Sequence, residues 1–287
     1  LVAMYQFTRD PKVLAKAEDF GKRLLPAYST GTGIPAYWVN LRTGVTRGDT
    51  VNLAEGGSSL IEMGMLSRFT GNPVYFEAAK KASLAIHDRR SSLGLVGENI
   101  NVITGLWVDS ISHIGCCIDS YYEYLLKGSI LFNDEDLKKA WNESIQPIQK
   151  YIAEELDSTL WFGQVNMMTG EKVNRVVTLY DAYFPAVLAL SGDLGNAARN
   201  QESWNKLWMK NGLEPMVYDY GKQEILHASY NLNPEIIESA YYLWYFTGDK
   251  KYKEMASQYF RDIMSYCRTD VAFTNIKDVR TKEQKDH

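Results

Sequence analysis

Four acidic residues stand at the same place in a recurring helical unit. They are Glu55 in Ala54-Glu55-Gly56-Gly57, Asp119 in Cys117-Ile118-Asp119-Ser120, Asp181 in Tyr180-Asp181-Ala182 and Glu235 in Asn233-Pro234-Glu235-Ile236. Each precedes a tight polar turn by 10 to 15 residues, so the spacing predicts all four near one end of a helical bundle. Several have a second acid on the same helical face: Glu123 four residues after Asp119, Glu238 three after Glu235 and Glu62 seven after Glu55. One acid in a first helical turn is explained by the helix dipole and by capping. The second acids are explained poorly that way, because they lie in apolar sequence where an unpaired charge is costly. A ring of inward carboxylates at one mouth of a barrel suits polyol recognition, acid/base work or a hard cation.

The elements that must position these acids follow from two repeated marks. The first is an apolar helix end, a polar turn and a charged helix, at Thr8-Arg9-Asp10-Pro11, Thr70-Gly71-Asn72-Pro73, Asn133-Asp134, Ser191-Gly192-Asp193 and Thr247-Gly248-Asp249. The intervals are 62, 63, 58 and 56 residues. Asp or Asn after the turn caps the second helix, and Pro fits a first helical turn. The second mark is Asn-x-x-Thr-Gly at Asn40 to Gly44, Asn101 to Gly105 and Asn166 to Gly170, flanked by β-prone runs, with Gly supplying the positive φ of a tight hairpin. Each unit reads helix, turn, helix, β-hairpin. The helix before each turn is apolar on most faces and is expected to be buried; the helix after it is amphipathic and covers it. Stacked helical hairpins of this kind form an open solenoid or a closed α/α barrel, and the carboxylate ring favours closure.

Bulk properties exclude several classes. The 287 residues carry 31 basic and 35 acidic side chains, a net charge of −4 that argues against a nucleic-acid or anionic-membrane partner. No apolar run is long enough for a membrane span, and no signal peptide is visible. Leu1 opens inside an apolar run and Lys282 to His287 is charged, so both ends read as cuts in a longer protein. Cys116, Cys117 and Cys267 form neither a disulfide framework nor a zinc pattern. The 19 Tyr and 7 Trp suit sugar binding and core packing alike. Ser112-His113 has no evident acid partner, Gly56-Gly57-Ser58-Ser59 lacks the lysine of a phosphate loop, and Asn142-Glu143-Ser144 is a common chance glycosylation triplet.

The residues also carry a resemblance. Ile118-Asp119-Ser120-Tyr121-Tyr122-Glu123-Tyr124-Leu125-Leu126-Lys127 is similar to the signature of the glycoside hydrolase family 47 α-1,2-mannosidases. Asn233-Pro234-Glu235-Ile236-Ile237-Glu238-Ser239 resembles that family's Arg-Pro-Glu-x-x-Glu-Ser, and Ala54-Glu55 through Glu62 to Gly71 resembles a third segment. The likeness runs in order along nearly the whole chain. It implies an all-α (αα)7 barrel, of which residues 1–287 are one catalytic domain lacking its first and last repeats. It implies an exo-α-1,2-mannosidase that removes mannose from high-mannose N-glycans with inversion, a Ca²⁺ cofactor and a monomer in an exported or ER/Golgi compartment. By motif position Glu235 would be the base, and Asp119 would act on the leaving-group side or hold a relaying water. Glu55, Glu62, Glu123, Asp181 and Glu238 would bind mannose hydroxyls or waters around the ion.

The sequence also departs from the family pattern. The family's general-acid Glu would precede Leu1 and its calcium-binding Thr would follow His287, so no metal ligand is expected within the chain and the chain alone is expected to be inactive. Asn233 stands where many members have Arg. Trp107 to His113 looks closer to bacterial members. Two other functions are compatible: a mannose-glycan-binding protein without turnover, and another α/α-barrel sugar enzyme such as an epimerase. Epimerases of that kind rely on paired histidines, and His87, His113, His227 and His287 share no repeat address.

Overall fold

Every predicted turn is a helix junction in the computed structural model, which describes residues 1–285; His287 and the last step of the charged tail lie outside the described residues. The helices are α1 Val2–Thr8, α2 Pro11–Leu24, α3 Leu53–Gly57, α4 Leu60–Thr70, α5 Val74–His87, α6 Asp119–Phe132, α7 Glu135–Pro147, α8 Phe184–Leu190, α9 Leu194–Asn211, α10 Glu235–Thr247 and α11 Lys250–Tyr266. Residues in the left-handed region stop the first helix of a pair: Arg9, Gly71, Asn133 and Gly248 at φ of 55°, 74°, 52° and 69°. One or two residues later a side chain caps the next helix. Asp10 accepts from Lys12 N (2.8 Å), Asp193 from Asn196 N (3.1 Å) and Asp249 from Lys251 N (3.0 Å). Asp134 accepts from Asp136 N and Leu137 N, both at 3.1 Å.

The chain divides into two compact units. The first holds residues 1–113, 117–150 and 165–171; the second holds 114–116, 151–164 and 172–287. In the first unit, helix pairs α1–α2, α4–α5 and α6–α7 pack with their inner members in close approach. Gly64 makes this possible, since a Cβ there would meet the Phe132 ring at 2.2 Å. Tyr75, Tyr121 and Tyr122 are enclosed in this core. In the second unit, α8–α9 and α10–α11 enclose a core around Trp204 and Trp208, with Trp208 against Tyr259 (4.8 Å between ring centroids) and Trp161 stacked on Tyr220 (5.7 Å). Full burial of a large apolar side chain of this kind contributes about 1.5–3 kcal/mol. Most of the fully buried aromatics are therefore core residues and take no part in a sugar platform. Cys267 is buried, Cys116 and Cys117 are partly so, and none of the three is in a disulfide.

The Asn-x-x-Thr-Gly segments are hairpin turns, as expected. Asn40 Oδ1 accepts from Arg42 N (2.9 Å) and Thr43 N (3.1 Å), Asn101 from Ile103 N (3.0 Å) and Thr104 N (2.9 Å), and Asn166 from Met168 N (2.8 Å) and Thr169 N (3.3 Å). Gly44, Gly105 and Gly170, at φ near 74°, return an N–H to the Asn carbonyl at 2.8 Å. All three lie in the first unit, chained by pairing of Thr50–Asn52 with Asn99–Asn101 and of Ile111 with Asn166. Two further hairpins, in the second unit, use aspartate for asparagine. Asp219 accepts from Lys222 N (2.9 Å) before Gln223 at φ 59°, and Asp278 accepts from Arg280 N (2.8 Å) before Lys282 at φ 64°.

Three expectations need correction. Glu55 and Glu62 do not share a helix, because the chain breaks between α3 and α4 at Ser58-Ser59, where two glycines precede two hydroxyl side chains with poor helix propensity. Asp181 lies in a 3-10 turn, Leu179–Tyr183, and not in the first turn of α8, where Pro185 sits. Apolar composition did not guarantee burial on α10: Tyr241, Tyr245 and Phe246 are 50%, 65% and 41% exposed, since no described neighbour covers that face.

Candidate active site

In the first unit, Glu55 and Asp119 sit at one end. Asn52 caps α3 through Glu55 N (2.9 Å), and Ala54 N donates to Cys117 O (2.8 Å), two residues before α6 begins. The starts of α3 and α6 are thereby tied together. Glu55 is exposed and accepts from the Tyr37 hydroxyl at 3.3 Å. Glu62, one short helix further on, is also exposed and accepts from the Tyr124 hydroxyl at 2.9 Å. Glu123 is paired with Lys127 one turn along α6. The charges that apolar sequence seemed to leave unpaired at Glu62 and Glu123 are therefore solvated or neutralised.

Asp119 is the acid most enclosed in this group. Burial raises its carboxyl above the ordinary aspartate value; Ser120 N (2.7 Å) and Ser120 Oγ (3.3 Å) donate to it and act the other way, and Glu123 adds to the rise. His113, read from sequence as lacking an acid partner, has one: its Nε2 lies 3.1 Å from Glu98 Oε2. This hydrogen bond is the main cause that holds the Glu98 carboxyl below its usual range. The two residues meet because a hairpin returns the chain between them, with Asp109 accepting from Glu98 N (2.8 Å) and Asn99 N (2.9 Å).

The raised Asp119 value has a consequence for stability. Below the usual aspartate range the folded and unfolded chains are both protonated. As pH rises, the unfolded chain ionises first, and stability falls until the folded group ionises too. Asp119→Asn is therefore expected to unfold at a higher temperature than the parent at pH 7 and at an equal temperature at the most acid pH tolerated. Thermal unfolding across pH checks this, and an unchanged or lower midpoint at pH 7 would contradict it.

In the second unit, three carboxylates gather. Leu179 N donates to Met216 O (3.2 Å), which sets the 3-10 turn of Asp181 beside the loop of Glu214. Ser239 Oγ bridges from α10 to Ala182 O (2.6 Å) and accepts from Ala186 N (3.1 Å), which brings the start of α10, with Glu235, to the same end. Asp181 is 5% exposed, and its Oδ2 accepts from Thr178 N at 2.9 Å in a capping box, so part of its carboxylate serves the turn itself. Gly115 faces it without a side chain; a Cβ there would fall 1.6 Å from Asp181 Oδ1. Glu235 accepts from Asn233 Nδ2 at 3.1 Å, so the Asn at the family's Arg position orients this acid. Glu238 follows half-buried in the first turn of α10.

Glu214 was missed by the sequence reading. It is 0% exposed, and neither carboxylate oxygen has a hydrogen-bond partner among the described residues. It occupies no repeat address, lying in the loop after the outer helix α9. The available signal was an acid inside the apolar loop Leu213-Glu214-Pro215-Met216-Val217. Among the described residues no three His, Cys, Asp or Glu side chains are close enough to hold a metal ion together.

Comparison with known proteins places these acids in context. The sequence profile of glycosyl hydrolase family 47 matches residues 1–287. The chain is 35% identical over 289 residues to the Arabidopsis thaliana alpha-mannosidase I MNS5, covering 99% of this chain and 50% of that protein. It is 37% identical over 272 residues to the human ER degradation-enhancing alpha-mannosidase-like protein 2, covering 93% and 46%. The chain thus spans about half the length of these relatives, and the bacterial likeness read from Trp107 to His113 finds no support in them. Among solved structures, the fold matches the alpha-1,2-mannosidase from Trichoderma reesei with a TM-score of 0.84 at 22% identity, over 93% of this chain and 63% of that one. The predominantly helical architecture is of the α/α-barrel class expected from the repeats, and the chain belongs to glycosyl hydrolase family 47, the class I α-mannosidases.

Proposed function

We propose that the protein to which this chain belongs is an inverting exo-α-1,2-mannosidase acting on high-mannose N-glycans, with Glu235 as its base. The observation that carries the reading is the family match along all 287 residues, together with a Glu235 carboxylate oriented by Asn233 at the first turn of α10. Inversion requires a carboxylate that takes a proton from water as the water attacks the anomeric carbon, while the leaving oxygen is protonated from the opposite side. Glu235 would take that proton. Asp119 would keep the leaving-group role that the resemblance implies; burial raises its carboxyl, the direction that favours its protonated form. Glu55, Glu62, Glu123, Asp181 and Glu238 would accept from sugar hydroxyls, a task suited to carboxylates, which are acceptors when ionised.

Calcium, when bound, would supply positive charge that orients sugar hydroxyls and favours ionised carboxylates. Asp181, Glu235 and Glu238 are the second unit's candidates for holding its waters. The names of the relatives support a secretory-pathway lumen as the site of action. No helix among the described residues is long and apolar enough to cross a membrane. The test is mannose release from α-1,2-mannobiose by the full-length protein with calcium and after chelation. Turnover with the ion and a marked fall in both turnover and glycan binding without it are expected. Glycan binding with no release under either condition would instead support the lectin-like alternative.

A further inference from the structure

A cavity of about 200 Å³ lies within the second unit, between α9 and the hairpins 153–162 and 217–227. None of the carboxylates of the candidate active site lines it. Its buried side is apolar, from Trp161 and Leu207, and its open side carries the exposed side chains of Lys206, Lys210 and Gln223. Several polar groups around it are already used within the fold. Ser203 Oγ accepts from Leu160 N (2.8 Å) and donates to Arg199 O (3.0 Å), and the Tyr220 hydroxyl donates to Glu154 Oε2 (2.8 Å). The two lysines are not used up in this way. Lys206 Nζ donates to Ser158 O and Lys210 Nζ to the Tyr218 hydroxyl, each at 3.3 Å. Both acceptors are neutral, and an ammonium group has three N–H donors. Neither lysine pairs with a carboxylate among the described residues. They stand one turn apart on α9, the spacing at which like charges destabilise a helix. The Tyr218 O–H also has no acceptor among the described residues. Asp157, in the turn of the first hairpin, is the one acid among the described residues that line the cavity.

We propose that this cavity binds a small organic phosphate monoester, with the phosphate held by Lys206, Lys210 and the Tyr218 O–H and the organic part against Trp161 and Leu207. The polar groups left open there are donors, so the ligand must bring acceptors. A phosphate monoester carries about −1.5 to −2 charge at neutral pH and three strong acceptor oxygens, which matches two ammonium groups and a phenol. A carboxylate would bring one charge and leave a lysine unanswered. The cavity is smaller than the roughly 300 Å³ at which most small-molecule clefts begin, so the organic part is small. The site is independent of the reading of Glu235 as the base.

Calorimetric titration of the full-length protein with phenyl phosphate, at low salt and without calcium, tests the proposal. Saturable binding is expected. Phenol and inorganic phosphate are each expected to bind at least about tenfold more weakly, because each lacks half of the match. Lys206→Ala and Lys210→Ala are each expected to weaken phenyl phosphate about tenfold, the scale of one charge-assisted hydrogen bond. Both side chains are exposed, so the fold is expected to survive. Asp157→Asn removes a repulsive charge and is expected to tighten binding about twofold or more, a gain that misfolding cannot produce. Absence of saturable binding overturns the proposal. So do unchanged affinity in both lysine variants, inorganic phosphate binding as tightly as phenyl phosphate, or no gain in Asp157→Asn.

Discussion

Glu235→Gln in the full-length protein is expected to lower turnover of α-1,2-mannobiose at least about a hundredfold, the scale of losing a general base, with glycan binding largely kept. Gln preserves volume and can still accept from Asn233 Nδ2, so the helix start retains its shape. It cannot take a proton from water. The fall should therefore appear in kcat and leave KM little changed, because the lost interaction is made in the transition state. Near-normal turnover in this variant with calcium present would remove Glu235 from the role of base.

A second large effect is expected on stability. Gly115→Ala puts a methyl where Asp181 Oδ1 already stands, 1.6 Å from the ideal Cβ. Asp181 cannot swing aside cheaply, since Thr178 N holds its Oδ2 at 2.9 Å and the side chain is enclosed. Either the backbone at residues 114–116 shifts or the capping box opens, and overpacking of this kind costs about 1–3 kcal/mol. Urea unfolding measures the loss. The cause is separable by a double-mutant cycle with Asp181→Ala, which removes the obstructing carboxylate. The double variant is expected to lose well under the sum of the two single losses; strict additivity would show that Gly115 acts through something other than Asp181.

The repeat was legible because its marks are local. A polar cap follows each left-handed helix end, and the Asn side chain that accepts from two N–H groups is readable from five consecutive residues. The fourth and fifth hairpins were not read, because Asp219 and Asp278 do the work of Asn, and Gln223 and Lys282 take the positive φ that glycine takes elsewhere. The break between α3 and α4 falls in Gly56-Gly57-Ser58-Ser59, a run of poor helix formers that the seven-residue spacing of Glu55 and Glu62 passes over. At the site, the addresses of Asp119 and Glu235 followed from periodicity, whereas the partners of these acids did not. Glu98 meets His113 across a hairpin, and Glu214 reaches the acids of the second unit from the loop after an outer helix. Such meetings depend on tertiary packing, which no spacing within one repeat encodes.

The central claim is the inverting hydrolysis itself, and the anomer formed in the first turnovers tests it most directly. Proton NMR of α-1,2-mannobiose mixed with the full-length protein and calcium should show β-mannose appearing first, followed by slower mutarotation to the α form, as direct attack of water opposite the leaving group requires. Initial release of α-mannose, or no release at all, would contradict the account.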